Sequence, residues 1–363
     1  MNKIRCAICG KEVDFIELHL LDEHKGFSIE QYVETYPDAP TMSELAREKM
    51  FARFGDRVAK RIAHDIRKVF GVKISDKFTE AWGYDKPRDN TPELDSAYVF
   101  EKDLLVVVLY ALATPNQPTL LTGPTGAGKT SIIEQVCARL NLPFYRMGFD
   151  GDITRAEFVG QWVLLGGKEM VFKYGILARA MMEGAVIILD EWDCAHPSVS
   201  MVAQPVLEGG NLTLLETGEV IKPHPDFRIF ATSNTLGQGD TTGLYNGTQP
   251  QNYASLNRFK MVEVVDYPKA AIERKIIEAK TGLQNMAPDN FVDKLIQMAD
   301  HVRKAFMKNE INATMSTRAV VNIAQKLQVF GDVKRAYALA FTNALSPEDK
   351  EVCGELLQRV WGI

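Results

Sequence analysis

The sequence predicts an α/β fold: a parallel sheet flanked by helices, with a helical domain after it and a small metal-bound module before it. Three observations carry this. Gly123-Pro124-Thr125-Gly126-Ala127-Gly128-Lys129-Thr130 joins an apolar, β-prone run to a helical repeat. Ala185-Val186-Ile187-Ile188-Leu189 is an aliphatic run that ends in Asp190 and Glu191. Cys6, Cys9, His19 and His24 stand in the pattern C-x2-C-x9-H-x4-H.

The glycine loop has the form G-x-x-x-x-G-K-[ST]. It follows Pro118-Thr119-Leu120-Leu121-Thr122 and precedes Ser131–Leu140, whose apolar residues recur at helical spacing. Glycines let backbone N–H groups converge on phosphate oxygens, and the helix N-terminus adds partial positive charge. Gly123, Pro124, Thr125, Gly126, Ala127, Gly128, Lys129, Thr130 and Ser131 are therefore the expected triphosphate contacts. Lys129 would reach the β- and γ-phosphates, and the Thr130 hydroxyl would bind Mg²⁺.

The run ending at Asp190 reads as a buried parallel strand, because both faces are apolar. Such strands deliver their last residues to the C-terminal edge of the sheet, where ligands bind in open α/β folds. Asp190 would hold Mg²⁺, and Glu191 would orient and deprotonate the attacking water. A third strand-like run, Phe227–Ser233, ends in Asn234, whose side chain could bond the γ-phosphate or that water.

The four N-terminal cysteines and histidines suit one tetrahedral Zn²⁺. A C-x2-C knuckle offers two thiolates from one tight turn, and Gly10 just after it fits such a turn. Phe15, Leu18 and Leu21 are the apolar contacts expected of so small a unit. A segment of this size needs the metal for its folding free energy. Four protein ligands leave no open position, so the expected zinc is structural. The spacing resembles short bacterial C2H2 fingers of the Ros/MucR sort, a likeness that extends through Gly26–Pro37.

Between Arg47 and Lys73 basic residues outnumber acidic ones, while Phe51, Phe54, Val58, Ile62, Ile66 and Val69 recur at helical spacing. A basic amphipathic helix is expected there. It is either a solvated face, a nucleic-acid contact or a partner surface. Asp85–Pro92 reads as a linker, and Tyr267-Pro268 as the break before the helical patterns 270–280, 290–309 and 317–330. The expected organisation is a zinc module at 1–40, a basic helical region and linker at 41–90, the α/β core at 91–266 and a helical lid at 267–363.

Composition sets outer bounds. The chain has 363 residues, 46% hydrophobic and 25% charged, with a net charge of −5. That excludes a global polycation for nucleic acid. The longest apolar run, Leu104–Leu112, is too short for a membrane span. The first residues lack a secretion signal, and five sparse cysteines fit a reducing cytoplasm without disulfides.

The motifs together resemble AAA+ ATPases of the MoxR branch, and within it the CobS type, the ATPase subunits of aerobic cobaltochelatase. The likeness spans residues 62–363 and is most specific in Gly239–Gln249. Pro223–Arg228, Val69–Val72, Lys173–Leu177 and Phe330–Asp332 also match. The resemblance implies that Asn234 is the sensor-1 residue, Arg318 the sensor-2 residue of the lid, and Arg258 an arginine finger reaching a neighbouring subunit. It further implies a homo-hexamer working with a von Willebrand A domain partner. Val159–Phe172, with Gly166-Gly167 between alternating apolar segments, reads as a hairpin; the resemblance implies that it is an insert lining the pore, with Trp162 exposed at its tip, the alternative being a surface hairpin. Leu212–Ile221 reads as a second hairpin. Two functions follow as expectations: an ATP-driven ring motor that remodels a partner, or a zinc-bearing ATPase assembling on DNA or RNA.

Overall fold

The computed structural model describes residues 3–13, 16–37, 39–41, 43, 59–75, 78–149, 153–165, 169–235, 248, 256–283 and 290–362. The chain divides into two compact units, Met1–Lys60 and Arg61–Ile363.

The first unit opens with a short antiparallel pair, β1 (Ile4–Arg5) and β2 (Glu12–Val13). The turn between them is fixed by the backbone. The Cys6 N–H donates to Lys11 O at 2.9 Å and the Gly10 N–H to Cys6 O at 2.7 Å. Helices α1 (Ile16–Glu23) and α2 (Ile29–Thr35) follow. Ser28 and Gln31 form a reciprocal capping box at the start of α2. Cys6, Ile16, Leu20 and Tyr32 make the small buried core. The contacts expected of Phe15, Leu18 and Leu21 lie outside the described side chains.

The second unit begins with a hairpin where a helix was expected. β3 (Arg61–Asp65) pairs antiparallel with β4 (Glu80–Tyr84), and only Ile66–Phe70 is helical, as α3. Asp65 caps α3 by accepting the Lys68 N–H at 2.9 Å. The Arg61 guanidinium lies 4.5 Å over the Trp82 ring and donates to Asp226 Oδ1 at 2.5 Å. These partners are distant in sequence, and they override the helical spacing of Ile62, Ile66 and Val69. The hairpin therefore groups with the α/β region rather than with a separate 41–90 segment. The rest of the expected basic helix, residues 47–58, lies outside the described residues.

Helix α4 (Lys102–Ala113) leads to β5 (Thr119–Thr122), the glycine loop and α5 (Lys129–Arg139). Then come β6 (Phe144–Gly148), α6 (Arg155–Phe158), the hairpin β7 (Gly160–Leu165) and β8 (Glu169–Tyr174), and α7 (Ile176–Glu183). The acidic strand is β9 (Val186–Asp190), followed by α8 (Pro197–Leu207). The small hairpin β10 (Leu212–Thr213) and β11 (Val220–Ile221) precedes β12 (Arg228–Ser233) and β13 (Met261–Val264).

Five strands form one parallel sheet in the order β13-β5-β12-β9-β6. Alternation puts successive side chains on opposite faces. Leu120, Ile187, Leu189, Ile229 and Ala231 join the core shared with α7 and α8. The alternate residues Leu121, Ile188 and Phe230 are equally buried, as are Val108, Leu109, Ile133 and Val136 of α4 and α5. A sheet covered on both faces explains why β9 carries no polar residue before Asp190.

The lid follows as α9 (Ala270–Thr281), α10 (Phe291–Met307), α11 (Thr317–Phe330), α12 (Val333–Ala340) and α13 (Pro347–Trp361). Its own core gathers Ile277, Leu295, Met298, Val302, Val320, Ile323 and Leu357. The expected 212–221 hairpin is present, with Leu212 opposite Ile221. Trp162 is 48% exposed but does not sit at a tip. It lies within β7, pairs with Phe172, and its indole N–H donates to Glu216 O at 3.3 Å. The turn at 166–168 lies outside the described residues, as does most of the 239–249 stretch.

Candidate nucleotide site

A cleft of about 580 Å³ opens where the C-terminal edge of the sheet meets α9 and α11 of the lid. Strand register brings its parts together. Ser233 stands opposite Thr122, and Gly148 opposite Asp190, so the strand ends are level. Strand β12 lies between β5 and β9, which places Asn234 between the glycine loop and the acidic pair.

The loop has the backbone that phosphate binding requires. Gly126 and Gly128 have φ of 71° and 94°, a region that side-chain-bearing residues rarely adopt. A Cβ at Gly126 would stand 2.5 Å from Ser316 Cβ, so the loop touches the lid directly. A Cβ at Gly128 would meet nothing within 4 Å, so the backbone there faces open space. Thr125, Gly126, Ala127, Gly128, Lys129, Thr130 and Ser131 line the cleft. Gly123 and Pro124 are not on its wall. Their carbonyls accept from Lys129 Nζ at 2.7 and 3.0 Å.

Lys129 is 7% exposed, and its ammonium also donates to Asn234 Oδ1 at 3.0 Å. Burial pulls its pKa down to about 8, against the opposing pull of Asp190, Asp193 and Glu191. An incoming phosphate would push that pKa up again by favouring the charged form, so the site favours anions.

Asp190 is held on both oxygens. Oδ1 accepts from Thr130 Oγ1 at 2.8 Å and from the Thr232 hydroxyl. Oδ2 accepts from Arg146 Nε at 2.8 Å and from Arg146 Nη2. A hydroxyl and a carboxylate already in contact are a hard-oxygen pair suited to Mg²⁺. Thr130 and Asp190 are the residues that would hold it. An ion held there would supply charge neutralisation for phosphoryl transfer.

Glu191 follows the acidic strand in the left-handed region, at φ 58°. Its N–H donates to Thr232 Oγ1 at 3.1 Å. A glutamate in this region costs of order 1 kcal/mol or more, and the neighbouring bonds hold it there. Desolvation of the carboxyl, then repulsion from Asp190 and Asp193, raises its pKa, while Arg146 and Lys129 oppose the rise. A raised carboxyl pKa suits a general base. Asn234 is fixed from behind: its N–H donates to Asp193 Oδ2 at 3.0 Å, beside the Thr235 N–H at 2.9 Å.

Arg318 lies in the first turn of α11 and lines the cleft from the lid. Arg258 does not line it. That side chain donates from Nε to Glu208 Oε1 at 2.8 Å. Sequence reasoning missed Arg146, Thr232 and Asp193. Arg146 was the one polar residue inside the apolar β6 run, and Asp193 the next carboxylate after Glu191, so faint signals existed. Thr232 carried none.

In the first unit, one ligand atom from each of Cys6, Cys9, His19 and His24 lies within 4.8 Å of all the others. Cys9 Sγ is 3.1 Å from His19 Nε2, and Cys6 Sγ is 3.9 Å from His24 Nε2. Tetrahedral Zn²⁺ separates its ligand atoms by roughly 3.3–3.8 Å. Tyr32 braces the knuckle by accepting the Ala7 N–H at 2.8 Å. All five cysteines are free thiols.

Strand order and the family match together give the class. With β12 inserted between the loop strand and the acidic strand, and a helical lid closing the cleft, this is an AAA+ ATPase. Residues 118–246 match the family described as AAA domain (dynein-related subfamily), and residues 273–361 match CbbQ/NirQ/NorQ C-terminal. The chain is 37% identical over 303 residues to "Aerobic cobaltochelatase subunit CobS" of Sinorhizobium sp, covering 82% of this chain and 90% of that protein. It is 30% identical over 260 residues to "Protein NorQ" of Paracoccus denitrificans, covering 71% and 91% respectively. Midasin of Dictyostelium discoideum is 34% identical over 196 residues, which is 54% of this chain and 3% of that one. The chain belongs to the MoxR-type AAA+ ATPases that include CobS, NorQ and CbbQ. Its reaction is ATP hydrolysis, with ATP and Mg²⁺ as its ligands. Among the described residues no helix is long and apolar enough to cross a membrane.

Proposed function

We propose that the protein is a ring-forming motor, a homo-hexamer, that uses Mg²⁺-dependent ATP hydrolysis to remodel or activate a partner in the cytoplasm. The observation that carries this is the position of Arg258. It lies off the cleft that its own chain lines, on an ion pair with Glu208. In a ring its guanidinium would exchange the Glu208 carboxylate for the γ-phosphate of a neighbouring subunit. Within one chain, Lys129 and Arg318 face the phosphates, Asn234 and Glu191 handle the attacking water, and Thr130 and Asp190 hold Mg²⁺.

The partner inferred from the family resemblance carries a von Willebrand A domain, and the likeness to a cobaltochelatase subunit makes a metal-inserting complex the proposed client. This chain would supply the ATP hydrolysis, and the chelation chemistry would belong to the partner. The N-terminal unit would bind one structural Zn²⁺ through Cys6, Cys9, His19 and His24 and serve as a docking module. The short separations among those four ligand atoms support the zinc site.

The test is capture with Glu191→Gln, which binds ATP without turning it over. A von Willebrand A protein retained from the native source with ATP, and lost with ADP, supports the motor reading. The competing reading is a zinc-bearing ATPase on nucleic acid. A gel shift over a salt series, with and without residues 1–60, separates the two. Salt-dependent binding that disappears with the deletion would favour nucleic acid.

A further inference from the structure

The segment joining sheet to lid carries one aromatic residue tied to both sides. Tyr267 follows β13 and precedes Pro268, whose ring fixes φ at the start of the lid. The Tyr267 hydroxyl donates to Thr125 O of the phosphate loop at 3.1 Å. On its other side the Arg303 guanidinium lies 4.1 Å from the centre of the Tyr267 ring.

Arg303 is held in turn. Nη1 and Nη2 donate to Glu273 Oε2 and Oε1 at 2.9 and 2.6 Å, and Nε donates to Met315 O at 2.8 Å. Glu273 is 1% exposed. Its Oε1 also accepts from Thr317 Oγ1 at 2.9 Å. Thr317 is the residue before Arg318. The chain Thr125–Tyr267–Arg303–Glu273–Thr317 thus runs unbroken from the phosphate loop to the first turn of the lid helix.

Peptide geometry says what the first link does. In a trans peptide the C=O and N–H point in opposite directions. Pinning the Thr125 carbonyl toward Tyr267 therefore fixes the Gly126 N–H on the opposite side of that peptide plane. Gly126 lines the cleft and, as a glycine, could otherwise turn its peptide over at little cost. An orienting partner is needed there, and it comes from the joint between core and lid.

We propose that Tyr267, Arg303 and Glu273 are positioning residues that couple the phosphate loop to the lid. Tyr267 holds the Thr125–Gly126 peptide with its N–H available to a phosphate. Through Arg303 and Glu273 the same contact sets the first turn of α11, and with it Arg318. Occupancy of the loop and orientation of the lid then change together. This rests on the nucleotide-site reading.

The test uses the full chain and a fluorescent ADP derivative with Mg²⁺. Tyr267→Phe keeps the ring under Arg303 and removes only the hydroxyl. It should raise the dissociation constant and the KM for MgATP alike by about fivefold to tenfold, the range expected for one orienting hydrogen bond. The melting temperature of the nucleotide-free protein should not move. In hydrogen exchange, saturating ADP should protect residues 317–322 in the wild type and much less in Tyr267→Phe or Glu273→Gln. Wild-type affinity together with wild-type protection in Tyr267→Phe overturns the proposal. If that variant melts lower, Thr317→Val takes its place under the protection criterion, since it cuts the chain at its far end and leaves Arg303 paired. Lys129→Ala is the control. Undiminished nucleotide binding in that variant would instead overturn the site reading itself.

Discussion

Arg146 donates from Nε to Asp190 Oδ2 at 2.8 Å, and its Nη2 bonds the same oxygen. The guanidinium thus sits on the carboxylate that would serve Mg²⁺, while Thr130 and Thr232 engage the other oxygen. Strand neighbours make this possible, because β6 lies beside β9 with Gly148 opposite Asp190.

Arg146 and Mg²⁺ therefore compete for one carboxylate. The arginine side chain is 55% exposed, so solvent weakens the pair to about 1 kcal/mol or less. Arg146→Gln should lower the Mg²⁺ concentration for half-maximal ATPase by about threefold. A Mg²⁺ titration at fixed ATP reads this directly. An unchanged or higher midpoint would mean that the pair does not limit ion binding.

Binding and chemistry should separate between Lys129 and Glu191. The buried ammonium of Lys129 is the main fixed positive charge on the loop, so Lys129→Ala should abolish measurable nucleotide binding. Glu191→Gln keeps the shape and loses the base. It should bind ATP with near wild-type affinity while turnover falls by about 10²–10⁴. Equilibrium binding and steady-state ATPase on the two variants check the division.

Arg258 lies off its own cleft, so its loss should spare binding. Arg258→Ala should keep nucleotide affinity within about twofold and reduce turnover by about 10³, the lower range for a removed arginine finger. Mixing it with Glu191→Gln should recover some activity, because each variant supplies the group that the other lacks. Two inactive variants that stay inactive when mixed would count against a shared site.

Zinc removal should act on the first unit alone. Among its described residues the buried apolar core gathers Cys6, Ile16, Leu20 and Tyr32, too little to fold unaided. Elemental analysis should give about one zinc per chain. A strong chelator should expose residues before 60 to protease and leave the ATPase unit's melting transition in place. Cys9→Ser should behave like the chelated protein.

What was legible in the sequence was what neighbouring residues encode. The glycine loop, the helix after it, the acidic strand and the polar strand tip each occupy a contiguous stretch, and each is found where the pattern placed it. Loop conformation is set by glycines at fixed spacing, and a buried strand by an unbroken aliphatic run, so no distant partner is needed to recognise either. The lid helices 270–281, 291–307 and 317–330 were legible for the same reason.

What only the tertiary structure decided was which distant residues meet. Residues 61–65 have helical spacing, yet they form a strand because residues 80–84 supply its hydrogen bonds and Trp82 and Asp226 receive Arg61. Trp162 was expected at a tip and lies instead inside β7, drawn to Glu216 of the second hairpin. Arg146 meets Asp190 across a strand pair, and Tyr267 meets Thr125 across the joint to the lid. Side chains far apart in sequence carry no local mark of their partners. Sheet order and packing choose those partners, and they are formed only when the chain folds.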